Sequence, residues 1–254
     1  MYNAFSEDYD RFVDWDARLA AEMPFIQEQL QEVDARRVLD AACGTGMHTI
    51  ALAKRDYEMV GADFAPGMIE KARSNAALAN TDARAEFAVA GLGALEPLAS
   101  PPFDAILCLG NSLPHIVDPA ELEHVLYDFH VSLRPGGLLL VQNRNFDAVM
   151  RDRSRWMGPQ SHREEEREWL FVRFYDFEPD GTITFNMVTL YREGAKDWEQ
   201  TVTSTRLRPL REEMLVDALR EAGFGKMDLY GNMEGAAFDR TDSPNLVIAA
   251  RKSA

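Results

Sequence analysis

The segment Arg37-Val38-Leu39-Asp40-Ala41-Ala42-Cys43-Gly44-Thr45-Gly46 constrains this chain more than any other. A buried-type apolar run ends in a carboxylate, turns through two glycines and enters a helical pattern near Met47. Glycine lets the backbone of such a turn approach a ligand closely, as at the nucleotide corner of an open α/β sheet. The surrounding sequence agrees, because strand-like runs at 37–41, 58–62, 86–90, 103–109 and 138–142 alternate with helical patterns. Alternation of this kind implies right-handed crossovers. The expected fold is therefore α/β: a Rossmann-like, seven-stranded, mostly parallel sheet with helices on both faces.

Asp40 narrows the ligand. A dinucleotide or a nucleoside triphosphate brings phosphate charge to the turn, which an acid there opposes, and Thr49 stands where the dinucleotide fingerprint needs its third glycine. S-adenosylmethionine carries no phosphate. It presents a sulfonium, an ammonium and a carboxylate, so an acid by its methionine end is favourable, with Gly44 and Gly46 cradling it. Asp63 ends the next candidate strand, about 20 residues further on, where a carboxylate can accept both ribose hydroxyls, and Phe64 can then pack on adenine. Taken singly, either acid reads equally well as a helix N-cap; the loop and both acids together favour the cofactor.

These segments resemble a known superfamily. Residues 38–46 are similar to motif I of class I methyltransferases, Ala62-Asp63 to motif II, and Leu133-Arg134-Pro135-Gly136-Gly137 to the turn before their fifth strand. More narrowly, Cys108-Leu109-Gly110-Asn111-Ser112-Leu113-Pro114-His115 and Gln142-Asn143-Arg144-Asn145-Phe146-Asp147 resemble the corresponding segments of glycine N-methyltransferase and its glycine/sarcosine relatives. The resemblance implies that Ala42 and Leu109 give backbone contacts to the cofactor and that Arg18 pairs with its methionine carboxylate. It also implies that Tyr9 lies near the sulfonium in an N-terminal lid, 1–34. Many relatives carry an acid after the third strand; here Gly91-Leu92 stands there, leaving the adenine amine to backbone carbonyls.

Methyl transfer from a sulfonium is an in-line displacement, so alignment and exclusion of water matter more than a nucleophilic side chain. Arg144 follows a strand that runs to the ligand edge, and its fork can hold an acceptor carboxylate, the role the resemblance assigns to it. The alternative is a surface arginine paired with Asp147 or Asp152. Asn111 can hydrogen-bond the acceptor. His115 is the catalytic candidate, able to take a proton from an incoming ammonium or, alternatively, to hold a loop carbonyl. Tyr175 resembles a substrate-facing tyrosine of the glycine-type enzymes, although alternation alone cannot say which face it takes. No metal is expected, since Asp104 begins the fourth strand at the wrong end and Asp118 is too far along to build a carboxylate cluster.

Beyond Asn145, longer half-exposed runs at 168–178, 182–192 and 200–208 are joined at Pro179-Asp180-Gly181 and Glu193-Gly194, good turn sequences. They read as a small antiparallel insertion, about 147–208, within one domain spanning 1–254. Trp156, Trp169 and Trp198 are candidates for its core, and the mixed charges of 163–167 read as a solvated face. A helix at 210–222 leads to strands at 226–230 and 245–251 that close the main sheet, and 8–30 reads as one or two helices broken at Pro24.

A net charge of −15 argues against nucleic acid, and no apolar run reaches the ~18 residues of a membrane span. The polar N-terminus is no signal peptide, and Cys43 and Cys108 read as free buried thiols of a cytoplasmic protein. The expectation is a methyltransferase acting on a small amine or amino acid, its oligomeric state open, a homo-oligomer included. The alternatives are an O- or N-methyltransferase of a larger metabolite and a non-catalytic cofactor-binding protein; a nicotinamide oxidoreductase is disfavoured by Asp40.

Overall fold

Each of the five apolar runs is a strand in the computed structural model, which describes residues 10–253: β1 (Arg37–Ala41), β2 (Glu58–Asp63), β3 (Ala85–Val89), β4 (Phe103–Cys108) and β5 (Leu133–Arg144). Helices α1 (Trp15–Gln31), α2 (Met47–Ala53), α3 (Pro66–Leu78) and α4 (Pro119–Ser132) precede or connect them. After β5 come α5 (Phe146–Asp152), β6 (Gln160–Glu164), β7 (Arg167–Phe177), β8 (Ile183–Glu193), β9 (Glu199–Leu207), α6 (Glu212–Glu221), β10 (Phe224–Tyr230) and β11 (Asn245–Lys252).

The main sheet has seven strands in the order β10-β11-β5-β4-β1-β2-β3, with β11 antiparallel to both neighbours and parallel pairing from β5 to β3. Successive strand residues point to opposite faces, and here both faces are buried. Leu39, Ile106 and Leu139 join Phe103, Phe129 and Leu219 on one side; Val38, Leu107 and Leu140 join Ile26 and Leu30 on the other. From β1 the chain builds outward to β3 and then returns to add β4 on the other side, so a crevice opens at the carboxyl ends of β1 and β4.

The helix break expected at Pro24 falls earlier. Asp14 caps α1 by accepting from the Ala17 amide at 3.1 Å, and Pro24 sits inside a continuous helix. Its neighbours Met23, Phe25 and Ile26 are buried against the sheet, and that packing outweighs the ~3 kcal/mol cost of an interior proline.

The insertion is a four-stranded antiparallel meander, β6-β7-β8-β9. Residues 163–167, expected as a solvated face, are exposed or half-exposed where they end β6 and turn into β7, with Glu165 at φ 53°. Of the three tryptophans only Trp169 is buried; Trp156 is 63% and Trp198 39% exposed, so the insertion packs instead on Phe146, Phe171, Tyr175 and Ile183. Where the excursion returns, the Asp147 carboxylate accepts from the Glu212 amide at 2.8 Å, 65 residues along the chain. Asp147 thereby supplies the cap that α6 lacks from its own N-cap residue Arg211. Cys43 and Cys108 are buried and free. Among the described residues no helix is long and apolar enough to cross a membrane.

Candidate active site

The carboxyl ends of β1, β2, β4 and β5 open into one cavity of about 950 Å³, walled on its far side by β7, β8 and β9. At the β1–β2 end it is lined by Arg18, Ala42, Gly44, Asp63, Phe64, Gly91 and Leu92. Ala42 and Gly44 both adopt left-handed backbone, at φ 62° and 55°, turning the chain sharply under this end. Asp63 accepts from the Gly44 amide at 3.0 Å with one oxygen and from the Ala65 amide at 2.9 Å with the other. Each oxygen keeps a lone pair for a ligand. Burial raises this carboxyl above its ordinary range despite the two amide bonds.

Three expected cofactor contacts lie elsewhere. Asp40 is buried with its carboxylate turned to α2, accepting the Thr49 hydroxyl at 2.7 Å and the Thr49 amide, so it does the work of a helix cap and does not line the cavity. Burial raises its pKa. Gly46 faces α3 and β3: a Cβ there would stand 2.8 Å from the Phe87 ring and 3.0 Å from Ala72. Leu109 is buried off the cavity, and its carbonyl accepts the Ser112 hydroxyl at 2.8 Å. Tyr9 lies outside the described residues.

Arg18 lines the cavity from α1, its Nε donating to Glu22 at 3.0 Å. The second Glu22 oxygen meets His48 Nε2 at 2.7 Å. Burial works to raise Glu22, but the bond with His48 and the charge of Arg18 hold it below its ordinary range. A terminal nitrogen of Arg18 reaches toward Gly110. Sequence reasoning passed over Asp10, which gathers Trp15 Nε1 at 3.0 Å, the Thr45 hydroxyl at 2.6 Å and Asn75 Nδ2 at 3.3 Å, joining the N-terminal segment to the glycine loop. A single acid in a polar stretch carries no local signal of such a role.

At the β4–β5 end the loop after β4 is tied to β5. Gln142 accepts from the Gly110 amide at 2.8 Å through its side chain and from the Asn111 amide at 3.1 Å through its carbonyl. Asn111, at φ 66°, accepts from the Arg144 amide at 2.9 Å, which leaves its Nδ2 for the cavity it lines. The Arg144 guanidinium is exposed to the cavity. Neither acid suggested as its surface partner pairs with it: Asp147 caps α6, and Asp152 holds Arg151 at 2.6 Å.

His115 lines the same end, its Nδ1 3.5 Å from the Thr205 hydroxyl of β9. Burial pushes its pKa down to about 4, so in the ligand-free protein it is a neutral imidazole near pH 7. Tyr175 is on the inward face of β7, 3% exposed, and lines the cavity; burial raises its hydroxyl pKa. Asp104 stays at the opposite edge, held by the Arg36 and Arg37 amides and by Arg134. Among the described residues no three His, Cys, Asp or Glu side chains gather as a metal site.

Known proteins resemble this chain in sequence and in fold. Residues 38–137 match the family model described as a methyltransferase domain. A glycine/sarcosine N-methyltransferase of Parasynechococcus marenigrum is 36% identical over 146 residues, 58% of this chain and 51% of that protein. The chain therefore matches about half the length of that relative. The enzyme of the same name from Halorhodospira halochloris is 28% identical over 98% of this chain and 88% of its own length. Among solved structures, an S-adenosylmethionine-dependent methyltransferase from Clostridium acetobutylicum superimposes with a TM-score of 0.79 at 18% identity, over 100% of this chain and 99% of that one.

Proposed function

We propose that this chain, which is a class I S-adenosylmethionine-dependent methyltransferase resembling the glycine/sarcosine N-methyltransferases, N-methylates a small amine that carries a carboxylate. The observation that carries the proposal is Arg144: a guanidinium open to the cavity, with Asn111 and Tyr175 beside the same space and, among the described residues, no acid of its own.

The cavity suits the cofactor. Asp63 is a buried carboxylate with spare lone pairs, fit for a ribose diol, and Arg18 has terminal nitrogens free of its bond to Glu22, fit for a carboxylate. Phe64, 61% exposed, offers an apolar face for adenine beside Gly91 and Leu92. Bound there, the cofactor supplies a methyl on a sulfonium, displaced in line by the lone pair of the acceptor amine.

Arg144 anchors the acceptor carboxylate, and Asn111 Nδ2 and the Tyr175 hydroxyl fix its orientation. His115 orients the amine as a hydrogen-bonding neutral imidazole. The amine arrives already deprotonated, its proton having gone to solvent. Phe12 and Val13, in a stretch tied to the glycine loop through Asp10, shield the cavity they line from water.

Turnover of labelled S-adenosylmethionine against a panel of small amines, amino acids and phenols, run beside Arg144→Ala, tests this. An amino acid is methylated, and the variant raises its KM about 10–100-fold with a smaller change in kcat, as expected for the loss of a charge-assisted anchor. If the cofactor binds but no carboxylate-bearing amine is methylated, the acceptor assignment falls. A larger metabolite is the second reading, favoured by a cavity near the top of the range of about 300–1,000 Å³ usual for small-molecule sites.

A further inference from the structure

Residues 169, 171, 173, 175 and 177 of β7 share one face of the insertion sheet. Four are aromatic, and Trp169, Phe171 and Tyr175 are buried. The fifth is Arg173. Across the sheet it faces Met187, as Tyr175 faces Phe185, and all four line the cavity. Its guanidinium lies 4.7 Å over the Phe12 ring, and its Nε is buried without a hydrogen-bond partner.

A half-buried cation whose Nε is shut away in an aromatic wall is costly unless an anion meets it. Among the described residues none does. Three acids line the cavity: Glu22, held by Arg18 and His48; Asp63, held by two amides; and Glu121, on the first turn of α4. None of them pairs with Arg173 or Arg144, and none stands on the insertion sheet. The charged neighbour that Arg173 does have is Arg144; burial first and that like charge second push its pKa down. Tyr175 lies close enough to feel both guanidinium groups. Two arginines thus converge on the acceptor end with no negative charge from the described residues.

A monocarboxylate amine anchored by Arg144 would leave Arg173 desolvated and unmatched. Resting on the N-methylation reading above, we propose that Arg144 and Arg173 form a two-arginine anion site and that the acceptor is an amine bearing two carboxylates, one for each guanidinium. Arg173 is a specificity-determining residue: it selects the second acidic group while His115 attends to the amine. The cavity volume, ample for a cofactor and something larger than glycine, agrees.

Binding and turnover test the proposal separately. Succinate, which has two carboxylates and no amine, should raise the thermal midpoint of the ligand-free protein more than propionate at equal concentration. Arg173→Met should abolish the difference while leaving the ligand-free midpoint unchanged or higher, since it removes an unmatched buried charge. Aspartate and iminodiacetate should be methylated with kcat/KM about tenfold or more above glycine and sarcosine. That preference should collapse in Arg173→Met through a raised KM and survive in part in Arg173→Lys. Equal shifts for succinate and propionate, with glycine preferred by both proteins, would overturn the two-arginine site and leave the Arg144 anchor standing. A succinate-selective shift with no amine methylated would overturn the dicarboxylic amine together with the N-methylation reading, but not the anion site.

Discussion

On the β1–β2 side of the cavity, Asp40 of β1, Asp63 of β2 and Glu22 of α1 each have partners inside the protein: Thr49, two backbone amides, and Arg18 with His48. Across the cavity, Arg173 has an unpartnered Nε and Arg144 no acid among the described residues. A buried charge already matched holds the backbone in shape before any ligand arrives; one left unmatched is completed by the ligand. The sheet side is therefore organised in advance, and on the proposal above the insertion side is completed by its acceptor.

The largest effect that would sharpen this contrast is at Asp63. Asp63→Ala should weaken S-adenosylhomocysteine by about 100-fold or more in calorimetric titration, because two charge-assisted bonds at ~1.5–3 kcal/mol each are lost. Unchanged affinity would mean that Asp63 only shapes the glycine loop.

Next comes Gly46, whose added methyl must fit against Phe87 and Ala72 at φ 80°. Gly46→Ala should cost about 2–4 kcal/mol in denaturant unfolding through crowding and left-handed strain. A loss confined to cofactor affinity, with stability intact, would put Gly46 back in the binding site.

The smallest effect belongs to His115, on the acceptor side. Its pKa lies near 4 in the folded protein against an ordinary 6.5. Between those values the unfolded chain takes up a proton that the folded one refuses, so this group's contribution to stability is complete above pH ~6.5 and is lost as pH falls toward 4. His115→Gln should flatten the acid limb of the stability curve by at most ~1.4 kcal/mol per pH unit and leave stability above neutrality unchanged. An unaltered acid limb would show that the ring is not desolvated.

The sheet side was also the more legible in the sequence. Strands buried on both faces read as continuous apolar runs, and β1 to β5 stand where those runs are. Good turn residues at Pro179-Asp180-Gly181 and Glu193-Gly194 announced the hairpins of β7, β8 and β9. β6, Gln-Ser-His-Arg-Glu, was missed because an exposed edge strand needs no apolar residue and gains from charge. Pro24 misled because local propensity is silent about the packing that overrides it.

Site residues divided in the same way. Asp63 and Arg144 line the cavity as expected, whereas Asp40, in a motif that reads as ligand-facing, turns to α2. Strand alternation grouped Arg173 with Tyr175 but could not choose the face, so an arginine among aromatics went unread.

The bond between Asp147 and the Glu212 amide closes a neck. Everything between its two ends, the whole far wall of the cavity, leaves the main sheet just after Arg144 and rejoins it without interrupting the pairing of β5 with β11. Closing a longer or shorter excursion at such a neck changes the loop entropy by only ~0.6 kcal/mol per doubling of length. In engineering terms the wall is a cassette: its length and sequence can change at little cost while the pairing of the main sheet stays as it is.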